Sequence, residues 1–251
     1  MEATAVLDAL FRWIHIVAGI IWIGLLYFFN FVNGPFAATM DGPTKQKVVP
    51  ELMPRALFWF RWGAAWTWVT GVLLLLIVFW HGGLMFPAGR GWSLLAVLMI
   101  LVTFFVAALY DVLAKSGWGK DIRLLAGVGW ALAVLVILGY LGASFSYRAY
   151  VIHTGAMFGT IMAFNVWMRI WPAQRQIITA TKQGTAPDPA LVALAGARSR
   201  HNTYLSVPLV WAMINYHTSA FSNVAYLILA IPLGWAAVYV IYNKAGTVKG
   251  F

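Results

Sequence analysis

Cysteine is absent from all 251 residues. That excludes disulfides, cysteine-ligated iron–sulfur clusters, thiolate zinc sites and covalent haem attachment through CxxCH. Charge is also scarce. Only 10% of residues are charged, and 7 acids stand against 17 Lys and Arg. The chain carries no Walker loop, dinucleotide fingerprint, HExxH pair or nucleophilic triad. No Lys or Arg precedes Arg12, and the leading stretch holds Glu2 and Asp8. It lacks the basic start of a secretory signal, so the first apolar run is expected to be retained.

What the chain has in excess is apolar surface. Hydrophobic residues make up 62%, with 14 tryptophans. These figures describe a polytopic membrane protein without a sizeable soluble domain. The net charge of +10 is no nucleic-acid signal here, because the cations sit in short loops between apolar runs. Nucleic acid is therefore not an expected partner, and the lipid bilayer is.

The runs predict an all-α transmembrane bundle forming one integral domain over 1–251. About seven spans are expected: 9–32, 55–80, 92–114, 123–143, 149–171, 203–219 and 223–243. The fourth and fifth, and the sixth and seventh, are joined by tight turns at Ser144–Arg148 and Ser219–Asn223. Pro208 predicts a kink or early end in the sixth. Arg12, Arg90 and Arg148 fall on one side, and the other 14 cations, from Lys45 to Lys249, on the opposite side. The positive-inside rule then puts the N-terminus outside and the C-terminus in the cytoplasm, with a bacterial inner (plasma) membrane as the expected location. Two cytoplasmic loops are long. Loop 34–54 reads as a turn plus a short interfacial segment. Loop 172–202 contains Asp188 and Pro189, a plausible N-cap and first helical residue, ahead of a helix lying on the bundle or membrane surface. Trp59, Trp62, Trp66 and Trp68 read mainly as interfacial anchors.

Four of the five histidines fall in the outer third of this topology: His15, His81, His153 and His217. Only His201 lies on the cytoplasmic side. His15 and His153 would sit roughly 7–10 Å below the outer helix ends, each preceded by an arginine, Arg12 and Arg148. Imidazoles on iron, arginines near propionates and small residues such as Gly19 and Gly155 under a flat macrocycle are what a b-type haem requires. One or two haems fit this pattern. His15 and His153 are the expected axial ligands, and His81 and His217 further or second-haem ligands. The plain alternatives stand beside it. A membrane histidine can simply be hydrogen-bonded across a helix interface, and glycine pairs can be packing ridges. A copper, zinc or iron site is the competing metal chemistry.

The segment RSRHNTYLSVPLVWAMINYH, ending at His217, and the segment FRWIHIVAGIIWIGLLYFFNF, beginning at Phe11, resemble the membrane domain of the PuuD-type membrane-bound urate oxidase (urate hydroxylase) family. The resemblance covers most of the chain. Its looser part, H-x-x-A-G-x-x-W-x-G from His15 to Gly24, is also similar to HemJ-type protoporphyrinogen oxidases and CopD-type copper proteins. The family resemblance implies oxidation of urate to 5-hydroxyisourate, with electrons passed to a c-type cytochrome. The usual family form carries a further span and a cytochrome c domain after the region seen here. The expectation is therefore a separate cytochrome c at the outer face. His201, Asn202, Tyr204 and Asn215 are the expected polar lining of the substrate pocket, with helix capping and interhelical hydrogen bonding as the alternative for Asn202 and Tyr204. A non-enzymatic subunit, haem-bearing or structural, of a larger membrane redox complex is the second reading. A transporter or metal-handling protein is the third.

Overall fold

The computed structural model describes residues 3–248. Glu2, Lys249 and the side chain of Lys120 lie outside what is described. The described residues form seven long helices and no strand. These are α1 (Ala3–Thr39), α2 (Gly42–His81), α3 (Leu94–Lys115), α4 (Ile122–Gly142), α5 (Tyr147–Lys182), α6 (Pro189–Asn215) and α7 (Val224–Ala245). All but α6 are long and apolar enough to cross a membrane. Helix α6 is long enough at 27 residues. It spends its polar face on protein contacts, Arg198 on Asp111 of α3, Asn202 on Asn165 of α5 and Ser206 on Tyr27 of α1.

Helix α5 is central. Its most apolar stretch is 72% buried, against 17–33% for the other five apolar helices. Small residues such as Ala149, Gly155, Ala156, Gly159 and Ala163 let neighbouring backbones come close on several sides. A Cβ on Gly155 would lie 3.2 Å from the Ala212 Cβ of α6 and 3.0 Å from the Met213 side chain. Gly155 is thus a packing glycine.

The two long loops expected between spans are mostly helix. Helices α1, α2 and α5 run to 37, 40 and 36 residues, about 55–60 Å each at 1.5 Å per residue. Prolines do not stop them, for two reasons. Pro35 and Pro172 each follow a π-helical segment, Phe28–Asn33 and Val166–Ile170. The Gly34 N–H reaches Phe29 O and the Trp171 N–H reaches Val166 O, five residues back, so the widened turn makes room for the ring. Pro43 needs no partner because it sits in the first turn of α2, behind the Asp41 cap. That cap accepts from Thr44 N at 2.8 Å, which holds the Asp41 carboxyl below its ordinary range.

The cap at Asp188 and Pro189 is present, with Ala190 N donating to the Asp188 carboxylate at 2.8 Å. The helix it opens does not stop on a surface. It continues through Pro208 as one α6, so the stretch expected as the span 203–219 begins inside that helix, which ends at Asn215. The Pro208 ring is accommodated by a glycine on α7. A Cβ at Gly234 would meet Pro208 Cδ at 2.8 Å and Cγ at 2.9 Å. The turn between α4 and α5 is as tight as expected, with Ser144 at φ +61° and Ser146 capping α5. Trp59, Trp62, Trp66 and Trp68 are 39–58% exposed, where lipid would lie.

Gly234→Ala forces two rigid elements apart, since a proline ring inside a helix cannot swing away. The expected cost is about 1–3 kcal/mol, read as a lower thermal midpoint of the purified protein in detergent. Adding Pro208→Ala to the same chain should recover part of the loss.

Candidate functional site

Two polar centres lie at opposite ends of the bundle. The first surrounds His15. A cavity of about 560 Å³ runs between α1, α2, α5 and α6, with Arg12 at one end of its lining and Tyr27 at the other. That volume lies in the range of small-molecule and cofactor sites. The fifteen helical steps from Arg12 to Tyr27 rise about 22 Å, so the space is long and narrow. Its walls are apolar, and its polar groups gather at the Arg12 end with His15, Tyr216 and His217. Gly19, Gly24 and Gly159 leave the wall open where side chains would fill it.

The sequence orients His15 through its neighbours on α2. The ring lies against Gly71, where a Cβ would come within 3.0 Å of it. Its Nδ1 is 3.3 Å from Thr70 Oγ1. The Thr70 hydroxyl donates to Trp66 O at 2.6 Å, so the Thr70 oxygen accepts from His15 Nδ1–H. That fixes the tautomer and leaves Nε2 with a lone pair and no protein partner, the arrangement of a ligating histidine. Nearby, Arg12 Nε donates to the Asp8 carboxylate at 2.8 Å and Nη1 to the Tyr216 hydroxyl at 3.1 Å. Tyr216 in turn stacks on His217, with ring centroids 3.8 Å apart.

His153 is placed differently. It is fully buried, its Nδ1–H donates to Ala149 O at 2.7 Å, and its Nε2 accepts from Trp80 Nε1 at 3.0 Å. Phe79, Tyr140 and Phe145 pack around the ring. Both nitrogens are occupied and the ring does not line the cavity. The expected pairing of His15 with His153 is therefore not assembled in this conformation. His81 is exposed in the turn after Trp80, and Arg148 is exposed on the first turn of α5. Neither lines the cavity. Of the expected cofactor set, the structure brings together Arg12, His15, Gly19 and His217. Among the described residues no three His, Asp or Glu side chains group as a metal site.

The second centre is built on Asp111 at the far end of α3. Arg169 grips it with Nε at 2.8 Å and Nη2 at 2.5 Å, Arg198 Nη2 adds 3.0 Å, and Lys115 Nζ adds 2.7 Å. The next residue, Tyr110, starts a chain of side chains. Its hydroxyl is 2.8 Å from His201 Nδ1 and accepts from Asn165 Nδ2 at 3.0 Å. Asn165 Nδ2 also reaches Asn202 Oδ1 at 2.8 Å, and Asn202 Nδ2 donates to Met162 O at 3.0 Å. Asn165 and Asn202 are completely buried. Polar groups buried at membrane depth are costly and mark functional sites by default.

The expected substrate lining divides along α6. His201 and Asn202 belong to this centre. Tyr204 faces elsewhere and stacks on Tyr242 of α7. Asn215 lies at the other end of the helix, where its Nδ2 donates to Trp211 O and its carbonyl accepts from Tyr147. Sequence reasoning missed Tyr110, Arg198, Thr70 and Trp80 as site residues. Asp111 had a signal, being an acid inside the expected span 92–114. Arg198 was visible only as a loop cation, because the helix expected after Pro189 was put on the bundle or membrane surface and not within the bundle.

A bundle with one long apolar cavity and one buried charge-and-amide network is a polytopic, all-helical membrane protein built around intramembrane polar chemistry. The family model described as Urate oxidase N-terminal matches residues 37–248, and the chain belongs to that family. No curated protein and no solved structure matches it significantly. The matched stretch holds the whole Asp111 centre and leaves out Arg12, His15 and Gly19.

Removing Asp111 strands three cations, two of them well covered. Asp111→Asn should cost about 3 kcal/mol or more. Lys115→Gln, on a side chain 52% exposed, should cost under about 1 kcal/mol. Thermal or denaturant unfolding in detergent checks both.

Proposed function

We propose that the chain is the membrane part of a urate-oxidising redox system. The observation that carries this reading is the family match over 37–248. The reaction removes two electrons and two protons from urate and water to give 5-hydroxyisourate. Membership of the urate oxidase family supports the substrate, and the buried polar network inside the matched stretch supports a site for it.

The cofactor reading is one b-type haem in the cavity beside His15. His15 would hold it through the free Nε2, with the ring set by Nδ1–H on Thr70. Arg12, with donors to spare beyond Asp8 and Tyr216, would face the propionates. Gly19, Gly24, Gly71 and Gly159 supply the flat approach. His217 at the Arg12 end is the second available imidazole, and His153 keeps its structural bonds. A haem there would supply a one-electron couple. The rest of the chemistry falls to the protein. Apolar walls exclude water, and the Arg12–Tyr216–His217 end faces a c-type cytochrome as electron acceptor. The excess of cations at the Asp111 end supports a cytoplasmic position for that end, with a bacterial inner membrane as the host in this reading.

A second reading, a haem-bearing subunit that is not itself an enzyme, has one observation in its favour. Every described carboxylate is committed. Asp8, Glu51 and Asp111 are ion-paired, and Asp41, Asp121 and Asp188 cap helices. Any general base must then be an imidazole.

A reduced-minus-oxidised spectrum with a pyridine haemochrome assay tests the cofactor, and anaerobic urate should reduce it. His15→Ala should abolish the haem signal. Thr70→Val should lower haem affinity by about 10–100-fold, the usual effect of losing a ligand's supporting hydrogen bond. Trp80→Phe should leave haem content unchanged and cost about 1–3 kcal/mol of stability, because it strands the buried His153 Nε2. A haem-free wild-type protein would reject the cofactor assignment.

A further inference from the structure

The Asp111 centre carries more than its own charge requires. Lys115, Arg169 and Arg198 face one carboxylate, leaving a formal excess of two positive charges. Two buried polar atoms in this centre also lack any partner: Arg198 Nη1 and Asn165 Oδ1. Arg198 is 2% exposed and Asn165 is 0% exposed. Each unmet group at such a position is expensive.

Both residues converge on Tyr110. The Arg198 guanidinium lies 5.0 Å from the ring centroid, and Asn165 donates to the hydroxyl. Asn165 Nδ2 can only donate to that hydroxyl, so His201 Nδ1 is the acceptor in its hydrogen-bond set, and a Tyr110 proton donated there leaves the His201 Nε2–H as a donor. The unspent functions around Tyr110 are therefore donors on Arg198 and His201 and one acceptor on Asn165. A simple oxyanion would use the donors and leave the Asn165 oxygen stranded. A planar anion bearing a ring N–H beside a carbonyl oxygen uses all three. Lys115 and Arg169, 52% and 26% exposed, border the centre on its solvent side.

We infer that Arg198, His201 and Asn165 form the binding site for the substrate anion, with Arg198 and His201 on its oxygen edge and Asn165 on its ring N–H. This rests on the urate reading above and adds the site. It takes His201 from the expected set and replaces Asn202, Tyr204 and Asn215 by Arg198 and Asn165. Asn202 becomes a positioning residue, its Oδ1 accepting from Asn165 Nδ2. The step at this site is binding alone, with no bond made or broken.

The test uses the full chain in lipid nanodiscs, with urate and inorganic phosphate as probes in equilibrium dialysis and thermal-shift assays. Wild type should bind urate in preference to phosphate. Asn165→Leu should weaken urate by at least about tenfold while leaving phosphate unchanged, as for a site that loses its partner to a substrate N–H. Arg198→Lys keeps the charge but loses the fork, and should weaken both. If Asn165→Leu does not fold, the wild-type comparison still decides, because phosphate stabilising the protein as well as urate overturns the site. A wild type that oxidises urate, beside an Asn165→Leu variant with unchanged urate affinity, overturns this site and leaves the functional reading intact. A wild type that neither binds nor oxidises urate overturns both.

Discussion

A polar side chain inside a membrane bundle must find its partner within the protein, because lipid offers none. That constraint organises this molecule. Asp111 holds three cations, His153 spends both nitrogens on Ala149 and Trp80, and Asn165 and Asn202 bond each other. Helix α5 supplies His153, Asn165 and Arg169, which is why it is also the most buried of the apolar helices. Its small residues let α2, α3 and α6 approach, and its polar residues then bond across those contacts. The bundle is specific because the polar pairs meet in only one register.

The same accounting separates structural histidines from available ones. His15 and His153 look alike in the sequence: each sits in an apolar helix, three or five residues after an arginine, with glycines behind it. Each Nδ1 is anchored, that of His15 on Thr70 of α2 and that of His153 on Ala149 O of its own helix. The difference lies in Nε2. Trp80 occupies that of His153, while that of His15 has no partner. Trp80 stands 73 residues from His153, and no helical periodicity links them. The glycines divide in the same way. Gly155 is filled by Ala212 and Met213, whereas Gly24 meets nothing within 4 Å and borders the cavity.

The helical class and most helix positions were legible because apolar runs of the right length have few other uses. The caps at Asp41, Ser146, Asp188 and Asn223 follow the ordinary N-cap preference. The extent of the helices was not legible. Pro35, Pro50, Pro54, Pro172 and Pro208 all read as breakers, yet each lies within a continuous helix. Two are absorbed by π-helical turns and one by the glycine opposite it. Those accommodations depend on partners far along the chain. Mistaking Pro172–Asn202 for a loop also hid Arg198, the most deeply buried cation described.

Helix α6 ties the two polar centres together and keeps them apart. Arg198 and Tyr216 are eighteen residues apart, about 27 Å along the axis. One end of the helix therefore serves the Asp111 network and the other closes the His15 cavity. Between them the cavity reaches Tyr27, whose hydroxyl is 3.0 Å from Ser206 Oγ on α6, one turn from Asn202. The family match over 37–248 takes in the Asp111 end, most of the cavity wall and the helices between them. Helix α1 brings the His15 imidazole to a cavity otherwise walled mainly by α2, α5 and α6, so the two polar centres are joined through helices that both of them share.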